Sequence, residues 1–238
     1  PDAALTETLG TRDWSSWQRR SGDYYGEAVL IWLDADMPIR EASGGARSLD
    51  DFARAFFGTR DGELGPLPYT FEDVVAALHA VQAHDWTRFL RERLDGHGPA
   101  PLDGLARAGW RLGWTDKPSG NLEADETEDK YSDFHHSLGL LVGQDGKLTN
   151  VLWDGPAFKA GLAPGLTLVA VNLRAYKAEG LKDAIRANRE GKAPIELLLR
   201  EGERYFSVRI DYRGGLRYPA LERIEDRPDR LAALLASR

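Results

Sequence analysis

The sequence predicts an α+β protein, with a helical first half and a second half built mainly of short strands. In the first hundred residues, capping residues precede apolar residues at helical spacing. After residue 108, short apolar runs bounded by glycine and proline are typical of strands. We therefore expect an all-helical domain at 1–95, a linker at 96–107, a strand-rich domain at 108–215 and a tail with a helix at 216–238.

Composition and charge exclude several classes of protein. Of 238 residues, 42% are hydrophobic and 29% are charged, as in an ordinary globular protein. The formal net charge of −7 provides no basic excess for a phosphate backbone, so we expect no nucleic-acid partner. The absence of cysteine excludes disulfides and thiolate metal sites. We also expect no membrane span, because the most apolar run, Ala28 to Leu33, ends at Asp34.

Helix signals predict about four helices in the first domain. Apolar residues at helical spacing predict a long helix from Asp23 to Glu41, which Pro38 should kink or interrupt and which Ser43-Gly44-Gly45 ends. A short helix is expected at Trp14–Arg20. The other helix starts are two capping boxes and one simple cap, formed by Ser48 with Asp51, Thr70 with Asp73, and Asp85.

The central stretch, Ser137 to Asn172, predicts three strands and a one-turn helix. Its apolar runs are separated by Gly155-Pro156-Ala157, and proline is favoured at a helix start. This order resembles a PDZ domain. Leu138-Gly139-Leu140 stands where that family has its carboxylate-binding loop, and Gly155 to Leu162 matches its small-helix motif.

The segments around the central stretch complete a PDZ-like β-sandwich or barrel with two helices. Composition predicts a solvated loop at Gly120 to Asp133, because this segment is polar and acidic. The strand Ala108 to Trp114, lying before the carboxylate loop, suggests that one strand of the PDZ-like sheet comes from the N-terminal side. The remaining predicted elements are a helix at Glu179–Asn188, a hairpin of Pro194–Arg200 with Tyr205–Tyr212, and a last helix after Asp226.

A second resemblance covers the helical half. The segments Asp23-Tyr24-Tyr25-Gly26-Glu27-Ala28-Val29-Leu30, Leu33-Asp34, Ile39-Arg40 and Ser48-Leu49-Asp50-Asp51 resemble the glycyl aminopeptidase family. These are zinc metallopeptidases of the thermolysin-like (gluzincin) group, in which a PDZ domain follows the helical end of the catalytic domain. Glu27 and Ala28 stand where the family has Lys and Gly. The resemblance implies a bacterial protein, and the sequence leaves its location, periplasm or cytoplasm, undetermined.

The zinc motif that this resemblance calls for is absent from the sequence. A His-Glu-x-x-His motif places two imidazoles one helical turn apart with a carboxylate beside them. None of the five histidines is followed by Glu, and none has a His four residues on. We expect no metal to be bound by this chain and zinc to be held in the full-length protein. Since the chain starts at Pro1-Asp2 without Met, we expect a fragment or a processed product.

Two tyrosines are the candidate catalytic residues. The resemblance implies a Tyr hydroxyl that stabilises the negative charge of the tetrahedral intermediate, and a phenol is suited to this because it donates a hydrogen bond while neutral. Tyr25 is the best match and Tyr24 the second. The residues alone favour a different interpretation, in which both are ordinary aromatic side chains of a helix, one buried and one at the surface.

The second candidate site is a peptide groove implied by the PDZ resemblance. Backbone N–H groups of Leu138, Gly139 and Leu140 would bind a carboxylate, with Leu181 and Ile185 lining the opposite wall. The groove could also be occluded, with the domain supporting the peptidase. Two functions follow: the C-terminal portion of a zinc aminopeptidase acting on peptides with N-terminal Gly or Ala, inactive by itself, or a non-catalytic peptide-binding adaptor.

Overall fold

The computed structural model describes residues 23–59, 62, 65–96, 100–191 and 193–236, which form two compact units. Within the described part, the first unit contains residues 23–111 and 222–236, and the second contains residues 112–221. Most helices lie in the first unit and most strands in the second, so the predicted α+β class is confirmed. The helix expected at Trp14–Arg20 lies outside the described residues. No described helix is both long and apolar enough to cross a bilayer.

The first unit is built from helices. Their bounds are α1 (Asp23–Ser43), α2 (Leu49–Phe57), α3 (Phe71–Val81), α4 (Trp86–Leu94) and α5 (Asp103–Arg107). Three of these, α2, α3 and α4, begin at the predicted caps. Both predicted capping boxes are formed, and the Asp85 side chain accepts a hydrogen bond from the Arg88 N–H. These starts could be read from the sequence because a capping box involves residues only three positions apart.

Helix α1 continues through Pro38, contrary to the predicted interruption. Its middle is fully buried, with Ala35, Met37 and Ile39 all inaccessible to solvent. Because packing of an apolar face supplies most helical stability in proteins, this burial outweighs the hydrogen bond that proline cannot make. Helix α1 then ends as predicted, at Ser43 before two glycines with positive φ.

The core of the first unit lies between α1 and the three helices that follow it. Its buried residues are Ile31, Ala35, Ile39, Phe52, Leu78, Val81, Trp86, Phe89 and Leu90. Helix α5, which lies within the range predicted as a linker, packs closely on α1. Gly104 makes this approach possible, because a Cβ there would collide with the backbone of Asp34.

The second unit consists of two sheets and helices around one buried core. Its strands, with β1 and β9 reaching into the first unit, are β1 (Trp110–Thr115), β2 (Tyr131–Phe134), β3 (Leu140–Gly143), β4 (Leu148–Val151), β5 (Thr167–Val171), β6 (Arg174–Ala175), β7 (Ile195–Glu201), β8 (Arg204–Ile210) and β9 (Tyr218–Arg223). Its helices are α6 (Gly120–Glu128), α7 (Pro156–Lys159) and α8 (Ala178–Asn188), and a last helix, α9 (Arg230–Leu235), belongs to the first unit.

The sheet orders are β2-β3-β4 and β6-β5-β7-β8, and β1 pairs with β9. Strands β7 and β8 form the predicted hairpin, in which Glu201 pairs with Arg204 and Gly202 has a φ of 58°. The one-turn helix α7 also forms as predicted, with Pro156 as its first residue.

Two predictions for the second half were wrong. The acidic segment Gly120–Asp133 is not a solvated loop: it forms α6 and most of β2, since Ser119 caps the helix and Leu122 packs against the core. Strand β1 does not join the sandwich either. Its partner is β9, a strand that the sequence analysis missed.

Candidate functional site

Tyr25 and Tyr24 lie in the first turn of α1, in the first unit. Tyr25 is 69% exposed, so it lies at the surface and not in the apolar core of the first unit. The side chain of Tyr24 lies outside the described part of the structure. The catalytic role of both tyrosines stays a prediction.

A buried carboxylate anchors the helix that carries Tyr25. Asp34 is inaccessible to solvent, and its Oδ2 accepts hydrogen bonds from Nε (2.8 Å) and Nη2 of Arg93. Nη1 of Arg107 lies 3.6 Å from Oδ1 of the same residue. Arg107 also pairs with Glu41 (2.6 Å), and its hydrogen bond is the main cause that holds the pKa of Glu41 below its usual value. These pairs connect α1 to α4 and α5.

A second buried carboxylate connects α1 to the start of α2. Oδ1 of Asp36 accepts a hydrogen bond from the backbone N–H of Leu49 at 2.6 Å, and Oδ2 pairs with Arg40. Since a buried carboxylate must be paired or hydrogen-bonded, both acids have a structural role. This role of Asp34 was not predicted from the sequence, where the residue ends an apolar run and belongs to the segments that carry the family resemblance.

The histidines of the described residues do not form a metal site. No group of three or more His, Asp or Glu side chains in the described residues could hold a metal ion. His79 contacts the His84 carbonyl oxygen at 3.3 Å, and His135 packs edge-on against His136. His97 lies outside the described residues. These groups do not fit the zinc centre that the family resemblance implies.

The predicted carboxylate-binding loop joins β2 to β3, and its backbone N–H groups converge on one oxygen atom. Ser137, Leu138 and Gly139 donate to the carbonyl oxygen of Phe134 at 3.1, 2.9 and 3.0 Å. Gly139 adopts a φ of +77°, a conformation that glycine accepts without the steric cost of a side chain. Converging N–H groups of this kind bind anions in many proteins. Here, their acceptor belongs to the chain itself.

Strand β2 lies along one edge of β3, the strand that begins in the predicted carboxylate-binding loop. The two strands are antiparallel, with Tyr131 opposite Gly143 and Phe134 opposite Leu140. Strand β4 pairs with the other edge of β3. Both edges of β3 are therefore occupied, and a further strand can add to it only if a neighbour moves away.

The opposite wall of the predicted groove is α8. Leu181 and Ile185 are both inaccessible to solvent, and they belong to the same buried cluster as Leu138, Leu140 and Phe134. The five residues predicted to bind peptide are thus brought together, with Gly139 also buried, and Phe134 lies among them.

Polar contacts connect α8 to the segment that covers it. Nζ of Lys182 lies 3.7 Å from Oε2 of Glu126, with only 11% and 12% of these side chains exposed. Oε1 of Glu126 accepts a hydrogen bond from the Asp133 N–H at 2.6 Å. Ser132 forms a side-chain hydrogen bond with Tyr176, whose pKa burial raises to about 12. The contacts of Glu126, Ser132 and Asp133 were not predicted, because their segment was expected to be a solvated loop.

Comparison with solved structures shows the fold of the chain. It is similar to the crystal structure of an aminopeptidase N family protein from Idiomarina loihiensis, with 18% identity and a TM-score of 0.54. In fold, the chain resembles an aminopeptidase. The match covers 90% of this chain and 36% of that chain, so the chain spans little more than a third of that protein. The expected relation to aminopeptidases is confirmed at the level of fold.

The other comparisons are weaker. A crystal structure of the HtrA3 PDZ domain bound to a phage-derived ligand (FGRWV) matches 48% of this chain and 91% of that chain, with 16% identity and a TM-score of 0.24. A TM-score this low supports no argument about function. No family model and no curated protein matches the chain.

Proposed function

We propose that this chain is the C-terminal portion of a zinc-dependent aminopeptidase that releases Gly or Ala from the N-termini of peptides. The observation that supports this is the fold likeness to an aminopeptidase N family protein, which extends over 90% of this chain but 36% of that one. A longer protein would then supply the zinc ligands and the general base. The second unit would be a PDZ domain that binds peptides or controls access of substrate.

In this proposal, the chain contributes the Tyr25 hydroxyl to the active site. A phenol donates one hydrogen bond and remains neutral at the pH of the reaction. Placed against the oxygen that becomes negative in the transition state, such a donor lowers the barrier without itself gaining or losing a proton. Asp34 and its arginine partners would act as positioning residues, because they hold α1 in the first unit.

The test requires the longer protein. The segment encoded upstream of Pro1 is expressed together with this chain, and hydrolysis of glycyl and alanyl amides is measured with and without a zinc chelator. We expect chelator-sensitive hydrolysis by the longer protein and none by the 238-residue chain, whose described residues hold no metal-binding cluster. Chelator-sensitive hydrolysis by the chain alone would contradict the proposal.

Tyr25→Phe tests the role of the hydroxyl within the longer protein. Turnover should fall by about 10²-fold or more, because one oxyanion donor is removed. Tyr24→Phe decides between the two candidates. Tyr205→Phe is the matched control, since Tyr205 is another exposed tyrosine, 57% exposed, in the second unit. Equal turnover in Tyr25→Phe and Tyr205→Phe would remove Tyr25 from the mechanism.

The alternative is a non-catalytic adaptor that binds peptides through the second unit. It would be favoured if the longer protein showed no amide hydrolysis with zinc present while the chain bound peptides. Peptide binding can be measured on the 238-residue chain itself, whereas hydrolysis is measured on the longer protein. The two functions are therefore tested by separate measurements.

A further inference from the structure

We propose that Tyr131–Phe134 is an internal ligand in the peptide groove of the second unit, and that free peptide C-termini ending in Ser-x-Phe compete with it for the groove. This inference rests on the proposed peptide-binding role of the second unit. It is independent of aminopeptidase activity and of Tyr25.

The direction and position of β2 match those expected for a peptide bound in the groove. A peptide that adds to β3 as an antiparallel strand, with its C-terminus at the loop Ser137–Leu140, would follow the path that β2 takes. At the end of this path, the carbonyl oxygen of Phe134 accepts all three converging N–H groups at 2.9–3.1 Å. A terminal carboxylate bound to the same donors would form charge-assisted hydrogen bonds, which are stronger than those to a neutral carbonyl group.

The side chains of β2 indicate which peptides the groove selects. Phe134 is 1% exposed within the apolar cluster, so the pocket beside the loop has room for an aromatic ring. Ser132, two residues earlier, projects from the same face of the strand and forms its hydrogen bond with Tyr176. Asp133, between them, points to the face opposite Phe134 and accepts a hydrogen bond from the His135 N–H at 2.6 Å, so the proposal leaves this position of the peptide unspecified.

The internal ligand is held by few contacts that a competitor must replace. Strand β2 has four residues, lies at the edge of its sheet and buries only Phe134 fully. Helix α6, which precedes it, includes no fully buried residue. Glu126 adds polar attachments, through Lys182 and the Asp133 N–H, to the hydrogen bond of Ser132 with Tyr176. If β2 and an external peptide exchange in the groove, only molecules in which β2 has left the groove can bind the peptide. The apparent affinity is then the intrinsic affinity multiplied by the fraction of such molecules.

The experiment measures binding of the peptide Lys-Tyr-Ser-Asp-Phe with a free carboxylate, which repeats residues 130–134. The peptide carries a fluorophore at its N-terminus, and anisotropy is followed with the whole chain. Two controls are the same peptide with a C-terminal amide and the peptide with Ser replaced by Ala. We expect weak binding of the free acid by the unmodified chain, a further loss of about tenfold for the Ala peptide, and no binding of the amide.

A disulfide provides the matched comparison within one polypeptide. Asp133 and Leu141 are directly opposed on β2 and β3, both half-buried, in a chain without cysteine. Opposed Cβ atoms in antiparallel strands lie about 4.5–5.5 Å apart, close enough for a disulfide with slight adjustment. In the variant Asp133→Cys/Leu141→Cys, oxidation locks β2 in the groove. Affinity for the free acid should fall at least tenfold on oxidation and return on reduction.

Loosening the internal ligand should have the opposite effect. Glu126→Ala removes the attachment to Lys182 and to the Asp133 N–H while leaving the apolar cluster unchanged, and affinity should rise about tenfold. Far-UV circular dichroism verifies that each variant is folded. Equal affinity in the oxidised and reduced forms would overturn the proposal, as would equal binding of the acid and the amide. Absence of binding in both the reduced disulfide variant and folded Glu126→Ala would do so too.

Discussion

Replacing Arg93 by Met tests whether the buried carboxylate of Asp34 organises the first unit. The substitution keeps an apolar stem of similar length, so packing changes little while the guanidinium is removed. Asp34 then loses both hydrogen bonds to its Oδ2 and is left facing Arg107, whose Nη1 lies 3.6 Å from Oδ1. The side chain of Asp34 has no exposed area through which water could replace the lost partner.

The magnitude follows from burial. Removing one partner of a buried ion pair costs about 3–5 kcal/mol, because the other charge is left uncompensated. Arg107 stays close to Asp34, so we expect the lower end of that range, about 3 kcal/mol. A loss of 1 kcal/mol lowers the melting temperature of a unit of this size by about 4–8 °C. The melting temperature of the first unit should therefore fall by about 12–24 °C.

The assay is urea unfolding followed by far-UV circular dichroism, with Arg88→Met as the matched control. Arg88 lies on the same helix but is 76% exposed, and because solvent screens its pair with Glu92, losing that pair should change stability little. In addition, Asp34→Asn/Arg93→Met should recover part of the loss because it also removes the buried charge. A loss in Arg93→Met no larger than in Arg88→Met would refute the reasoning.

Three further predictions concern stability, each measured by urea unfolding. Gly104→Ala should lose about 1–3 kcal/mol because its Cβ meets the backbone of α1, whereas Gly26→Ala, with open space around it, should gain about 0.5–1 kcal/mol. Ser48→Ala should lose about 1 kcal/mol by breaking a capping box. Burial raises the pKa of Tyr218 to about 12 in the folded chain, above the usual value near 10. Its contribution to stability is therefore complete below pH 10 and is lost as pH rises through 12, and Tyr218→Phe should weaken this alkaline loss.

Local signals in the sequence were sufficient to predict the starts of α2, α3 and α4. A capping box such as that of Ser48 and Asp51 requires only residues that are three positions apart, and both predicted boxes are formed. The same holds for the small helix at Pro156 and for the turn at Gly202, where the chemistry of one or two residues determines the backbone. Apolar spacing on α8 also predicted that Leu181 and Ile185 share one face of the helix, and both are buried; that they line a peptide groove stays a prediction.

Long-range contacts account for what the sequence analysis missed. Asp34 is paired with Arg93, 59 positions away, and no local pattern distinguishes such a carboxylate from one at the surface. The segment that forms α6 was predicted to be a loop because its composition is acidic. Its contact with the rest of the unit, Glu126 with Lys182, forms only in the folded chain, so composition does not reveal it. Strand β9 was missed for the same reason, since its partner, β1, lies more than a hundred residues earlier. Strand β2 was missed as well, because it overlaps the segment Gly120–Asp133 that was predicted to be a loop.

The division of the chain has a consequence for its synthesis. Residues 112–221 interrupt the first unit, and the crossing points lie on the paired strands β1 and β9. Hydrogen bonds connect the residues after this interruption to those before it. Arg227 Nη1 donates to the Ala106 carbonyl oxygen (2.7 Å), and the Arg230 N–H donates to the Ala108 carbonyl oxygen (3.0 Å). During synthesis on the ribosome, residues 112–221 emerge before residues 222–236, so the second unit can fold before the first unit is complete. The first unit can finish folding only after the last segment has been made and has paired with the earlier one.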